Sequence, residues 1–103
     1  MALKLKADAT FFTDVRVPVP GDKAEVFKAE FVHMTRKGLD EFMEGRNLVN
    51  DADTVMQIVK SWDIKDIPFT KENVEQLNQQ YHAFMRSICT TFIDQLMQAR
   101  VGN

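Results

Sequence analysis

The hydrophobic period of this chain changes once, near Met34, and that change limits the folds open to it. Before it, apolar residues recur at every second position; after it, they recur at three- and four-residue intervals. Period two sends alternate side chains to opposite faces of a strand, whereas 3.6 residues per turn gathers i, i+3 and i+4 on one face of a helix. From Phe11 to Val19, the residues Phe11, Thr13, Val15, Val17 and Val19 share one face, and Phe12, Asp14, Arg16 and Pro18 the other. Pro20-Gly21-Asp22-Lys23 has turn chemistry, with proline fixing φ and glycine free to take positive φ. A second alternation sets Glu25, Phe27, Ala29, Phe31 and His33 against Ala24, Val26, Lys28, Glu30 and Val32. The two runs predict an antiparallel β-hairpin over 10–33. Pro18 and Pro20 donate no ladder hydrogen bonds, so the first strand belongs at an edge.

The remainder reads as helix. Thr35 is placed to cap a first helix carrying Leu39, Phe42 and Met43, with a stop at Gly45-Arg46-Asn47. Asn50 or Asp51 caps a second, and Asp53 adds charge that the helix dipole favours in a first turn. There Val55, Ile58, Val59 and Trp62 fall at i, i+3, i+4 and i+7, which predicts one stripe running through Trp62. The connector 63–69 follows, in which Pro68 turns Ile67 away from helical geometry. Thr70 caps a third helix with Val74 and Leu77 inward. In the last segment Tyr81, Phe84, Met85, Ile88, Phe92, Leu96 and Ala99 run down one face for about five turns. A lone hairpin is marginal in water, so its Phe27/Phe31 face must pack on the helical stripes. The expected fold is α+β: an N-terminal hairpin on a bundle of three to four helices. Its 103 residues form a single domain, with a loosely ordered segment 1–9, the hairpin 10–33 and a helical part 35–101.

Composition excludes several classes. Hydrophobic residues make up 45% and charged residues 27%, which fits a globular domain and not a disordered one. The single cysteine, Cys89, permits no intrachain disulfide and fits a reducing compartment. The basic, apolar start Met1-Ala2-Leu3-Lys4-Leu5-Lys6 lacks the long apolar core of a signal peptide. No stretch approaches the ~20 apolar residues that span a bilayer. A net charge of −2 lacks the basic excess of a nucleic-acid binder, and Arg36-Lys37 is a short pair with nothing basic around it.

No catalytic constellation emerges. His82 and Cys89 share a helix face roughly 10 Å apart, whereas a nucleophile and its base need ~3 Å. No metal ligands accompany His33 at zinc spacing. Asp51, Asp53, Asp63 and Asp66 lack the glycine and terminal glutamate of a calcium loop, and capping and solvation account for them. No glycine-rich phosphate loop is present. The sequence therefore predicts no enzyme and no cofactor.

The order of features resembles a known family. Val15-Arg16-Val17-Pro18-Val19-Pro20-Gly21-Asp22 leads into Phe27-Lys28-Ala29-Glu30-Phe31-Val32-His33, and then Thr35-Arg36-Lys37-Gly38-Leu39-Asp40-Glu41. Ser61-Trp62-Asp63 precedes Ile67-Pro68-Phe69-Thr70-Lys71-Glu72-Asn73-Val74. Over residues 10–101 this is similar to the tail assembly chaperones of long-tailed, siphovirus-type bacteriophages. The resemblance implies a protein that binds the tape measure protein and keeps it soluble in the host cell cytoplasm until tube subunits assemble. It also implies homo-oligomers, absence from the mature virion, and in many phages a longer frameshifted product that recruits the tail tube protein. Any slip would act near Ala99-Arg100-Val101-Gly102-Asn103.

The physical chemistry of a chaperone suits such a chain. Grooves that take the apolar face of a helix use i, i+3, i+4 and i+7 anchors, and methionine adapts to many shapes. Six methionines stand at 1, 34, 43, 56, 85 and 97. Met56 and Met97 lie beside their helices' main stripes and are the candidate partner contacts, with Trp62 and Phe69. The opposing reading makes the methionines core filler and Trp62 a core anchor with its N–H bonded nearby. A structural virion component, such as a head-tail connector or tail-completion subunit, is the alternative function.

Overall fold

The computed structural model describes residues 3–44 and 52–97. Strand β1 (Thr10–Val17) pairs antiparallel with β2 (Glu25–Val32) in unbroken register from Thr10↔Val32 to Val17↔Glu25. The turn between them forms as its residues dictate. The Asp22 N–H donates to Val19 O at 3.1 Å, and Gly21 sits at φ +75°, a left-handed value that side chains with a Cβ resist. Val15, Val17, Phe27, Ala29 and Phe31 are buried on one face of the sheet, as the alternation predicts. β1 is an edge strand, in line with Pro18 and Pro20 just beyond its end, which donate no ladder hydrogen bonds.

Among the described residues four helices follow: α1 (Arg36–Glu44), α2 (Ala52–Ile58), α3 (Lys71–Gln80) and α4 (Phe84–Met97). The Gly38 N–H donates to the Thr35 hydroxyl at 3.0 Å, so Thr35 caps α1. Thr70 caps α3 likewise, accepting from the Asn73 N–H at 3.1 Å. Thr70→Ala is expected to lower stability by about 1 kcal/mol, read as a shifted urea midpoint with an unchanged slope. The helices cover one face of the sheet, burying Leu39, Val55, Ile58, Val74, Phe84, Met85, Ile88 and Phe92 against it.

Two elements differ from the sequence reading. The second helix stops at Ile58, and Val59–Trp62 forms a third strand, β3, antiparallel to β2. Val59 opposes Phe31 and Trp62 opposes Ala29, with a register shift between Glu30 and Phe31. In a regular strand, residues three apart face opposite ways. The bulge at Lys60 restores Val59 and Trp62 to the same side, so a bulged strand here imitates the i, i+3 spacing of a helix. Pairing wins because it satisfies the free edge of β2, which an extended helix would leave without partners. On the outer face Glu30 then accepts from Thr10 Oγ1 at 2.8 Å and Ser61 Oγ at 3.0 Å, one side chain joining all three strands.

The second difference is a corner between α3 and α4. Tyr81 is extended (φ −126°, ψ 107°) and ends α3 with its N–H on Leu77 O at 2.8 Å. The last helix therefore begins at Phe84, not Tyr81. No glycine or proline marks the break; the burial of Phe84 and Met85 sets the new helix direction. The expected stop at Gly45-Arg46-Asn47, the cap at Asn50 or Asp51, and Ala99 lie outside the described residues.

A candidate partner-binding groove

At the turn end of the sheet, three segments far apart in sequence enclose a groove of about 500 Å³. The β1–β2 turn contributes Val19, the loop after β3 contributes Ile64 and Ile67, and the α3–α4 corner contributes Leu77 and Tyr81. Buried Phe27 and Phe84 form its floor, and Glu25, Asp63 and Lys65 supply charge around it. The volume falls in the range of sites that bury a ligand, and the mostly apolar lining with a few polar groups matches their usual chemistry.

The loop wall is held at several points. The Asp63 N–H donates to Lys28 O at 3.0 Å, and Asp63 Oδ1 accepts from the Lys28 N–H at 2.7 Å, which extends the β2–β3 ladder one step. The Ile67 N–H reaches Ile64 O at 3.3 Å around Asp66, whose φ of +64° is a value aspartate tolerates. Trp62 Nε1 donates to Ile67 O at 2.7 Å, and Asn73 Nδ2 donates to Pro68 O at 2.8 Å. Aromatic rings back this wall. Trp62 meets Phe69, Phe27 and Phe84 edge-on, at centroid distances of 5.0, 5.8 and 6.0 Å.

The four candidate contact residues are not brought to one place. Trp62 and Phe69 touch each other and are half-buried; Trp62 also borders a shallower depression with Ile64, Asp66, Ile67 and Pro68. Met56 is 37% exposed on α2 and Met97 is 59% exposed on the last turn of α4, and neither lines the groove. Met85, by contrast, is core filler at 1% exposure. The sequence reading missed Val19, Ile64, Ile67 and Tyr81 as lining residues. Its available signal was the pair of isoleucines in the connector 63–69, whose other residues are Asp, Lys, Pro and the candidate Phe69, since an apolar loop residue with no helical stripe needs a separate reason.

Away from the groove, Lys4 Nζ donates to Asp8 Oδ1 at 2.7 Å. That bond, with the charge of the ammonium, holds the Asp8 carboxyl below the usual aspartate range. Among the described residues no three His, Cys, Asp or Glu side chains are grouped to hold a metal, and no helix is long and apolar enough to cross a membrane.

Fold and groove together describe a small α+β domain with a largely apolar recess at the turn end of its sheet. The sequence model of the phage tail assembly chaperone family matches residues 1–103, and the chain belongs to that family. No curated protein and no solved structure matches it significantly. Membership gives the chain a role in tail assembly, with protein partners.

Proposed function

We propose that this chain binds the tape measure protein and keeps it soluble during tail assembly by covering its apolar helical surface, without catalysis. The observation that carries the reading is the groove of about 500 Å³, apolar on its floor and walls, in a member of this family. A ruler protein made of long amphipathic helices aggregates when its apolar stripe is bare, and a recess of this chemistry takes such a stripe through successive anchor side chains. Trp62 and Phe69 brace the loop wall, and Met56 and Met97 offer adaptable apolar contacts beyond it. On this reading the protein acts in the host cell cytoplasm, self-associates, is absent from the mature virion, and engages the tail tube protein through a longer frameshifted form.

Co-expression with the tape measure protein tests it. The client should stay in the soluble fraction with this chain and precipitate without it; equal precipitation in both would end the proposal. Met56→Glu and Met97→Glu should weaken client retention more than they change thermal stability, because both side chains already meet solvent. Equal losses in both measurements would make those methionines structural. Recovery of the chain in purified particles would mark a virion subunit instead.

A further inference from the structure

We propose that β1 is the interface at which two copies of this chain join. They meet edge to edge and antiparallel about a two-fold axis at Val15, making one continuous sheet from both. This specifies the self-association included in the function proposed above, and its test uses the purified chain alone, so it stands or fails separately from client binding.

β1 lies at one side of the sheet, and among the described residues no backbone group pairs with its outer side. The groups it offers follow from the ladder. The His33 N–H donates to Ala9 O at 2.8 Å, one step beyond the Thr10↔Val32 pair. Bonded and non-bonded pairs alternate along an antiparallel ladder. The odd-numbered residues of β1 therefore turn their N–H and C=O toward β2, and Thr10, Phe12, Asp14 and Arg16 turn theirs to the free side. Proteins usually protect such an edge with proline, lysine, an inward-pointing charge or a bulge. Thr10–Val17 contains no proline or lysine, its inward positions are Phe11, Thr13, Val15 and Val17, and its register with β2 is unbroken.

The charges on the outer face choose the register. A two-fold axis at Asp14 or at Arg16 sets like charges opposite each other, which destabilises a sheet. An axis at Thr13 leaves Asp14 opposite Phe12 and Arg16 opposite Thr10. The axis at Val15 sets Asp14 opposite Arg16 of the second copy, twice over by symmetry, and each such pair exchanges two backbone hydrogen bonds. The same register places Phe12, 63% exposed, opposite Pro18 of the second copy, which is also exposed. Pro18 has no N–H to give, so the joined ladder ends there. Asp14 already has Lys28 Nζ at 3.4 Å. Exposed pairs of this kind contribute little energy singly, and their part here is to select register and partner.

Sedimentation of the purified chain tests the interface. The wild type should dimerise. Asp14→Arg and Arg16→Asp should each weaken self-association at least about tenfold, since each turns two attractive pairs into two repulsive ones. An equimolar mixture of the two variants should recover a heterodimer, because each then meets opposite charge on the other. Far-UV circular dichroism reports whether the single variants fold. A second route needs no charge change. On a Cys89→Ser background, Phe12→Cys mixed with Pro18→Cys should cross-link under mild oxidation faster than either alone, because bonded pairs hold their Cα atoms about 5.5 Å apart, within disulfide reach. A monomeric wild type, unchanged dimerisation of folded single variants, or no preferential cross-link would each overturn the proposal.

Discussion

Phe92→Ala is expected to destabilise the protein by about 3–5 kcal/mol, the range for deleting a large core aromatic. Domains of this size are typically stable by only about 5–15 kcal/mol, so the variant should be partly unfolded near 37 °C. The size of the effect follows from what the ring touches. Phe92 has no exposed surface, and its centroid lies 5.6 Å from Phe31, 6.5 Å from Phe11 and 6.0 Å from Phe42. It thus joins α4 to both hairpin strands and to α1 at one point. Phe42 is among the few apolar side chains by which α1 reaches the core, beside buried Leu39. Removing the partner of Phe42 should loosen α1 before the sheet opens. Urea unfolding measures the total, and hydrogen exchange should show the α1 amides losing protection first. A loss below about 1 kcal/mol would mean that the core closes around the vacancy, contrary to its packing here.

The second large effect is functional. On the proposed function, Ile64→Glu should weaken binding of the tape measure protein at least tenfold while shifting unfolding by about 1 kcal/mol or less. A carboxylate facing an apolar helix must give up hydration with no partner to replace it, and tenfold in affinity corresponds to only about 1.4 kcal/mol. The small stability change follows because Ile64 is only partly buried, at the margin of the core, in a loop whose hydrogen bonds run through backbone atoms and the side chains of its neighbours. Lys65→Glu, a change of charge beside the same groove, should leave binding within a few-fold of wild type. A titration with purified client fragments decides the matter, and wild-type affinity for Ile64→Glu would place the client elsewhere.

Features that depend on neighbours in sequence were legible before the structure. The hairpin, its Pro-Gly turn, the inward faces of both strands and the Thr35 and Thr70 caps each follow from a few adjacent residues. β3 was not legible. Lys60 makes a bulged strand carry the spacing of a helix, and the deciding influence, the free edge of β2, lies some thirty residues away in the chain. The corner at Tyr81 was hidden for a similar reason, since Phe84 and Met85 set it by burial rather than by local chemistry. The groove shares this origin. Val19, Ile64, Leu77 and Tyr81 belong to separate segments, and no periodicity relates them. Met56 and Met97 were recognisable as side chains off the main stripes, whereas the recess that gives apolar contact a shape needed the tertiary fold.

The fastenings along 62–73 also bear on how fast any helix settling in the recess is captured. A wall tied through Lys28, Trp62 and Asn73 has little conformational entropy left to surrender, so the ordering penalty of complex formation falls on the incoming chain. If the recess takes a helix as proposed, capture should be limited by encounter rather than by rearrangement of this protein, and differences between competing segments should appear in how long each one stays.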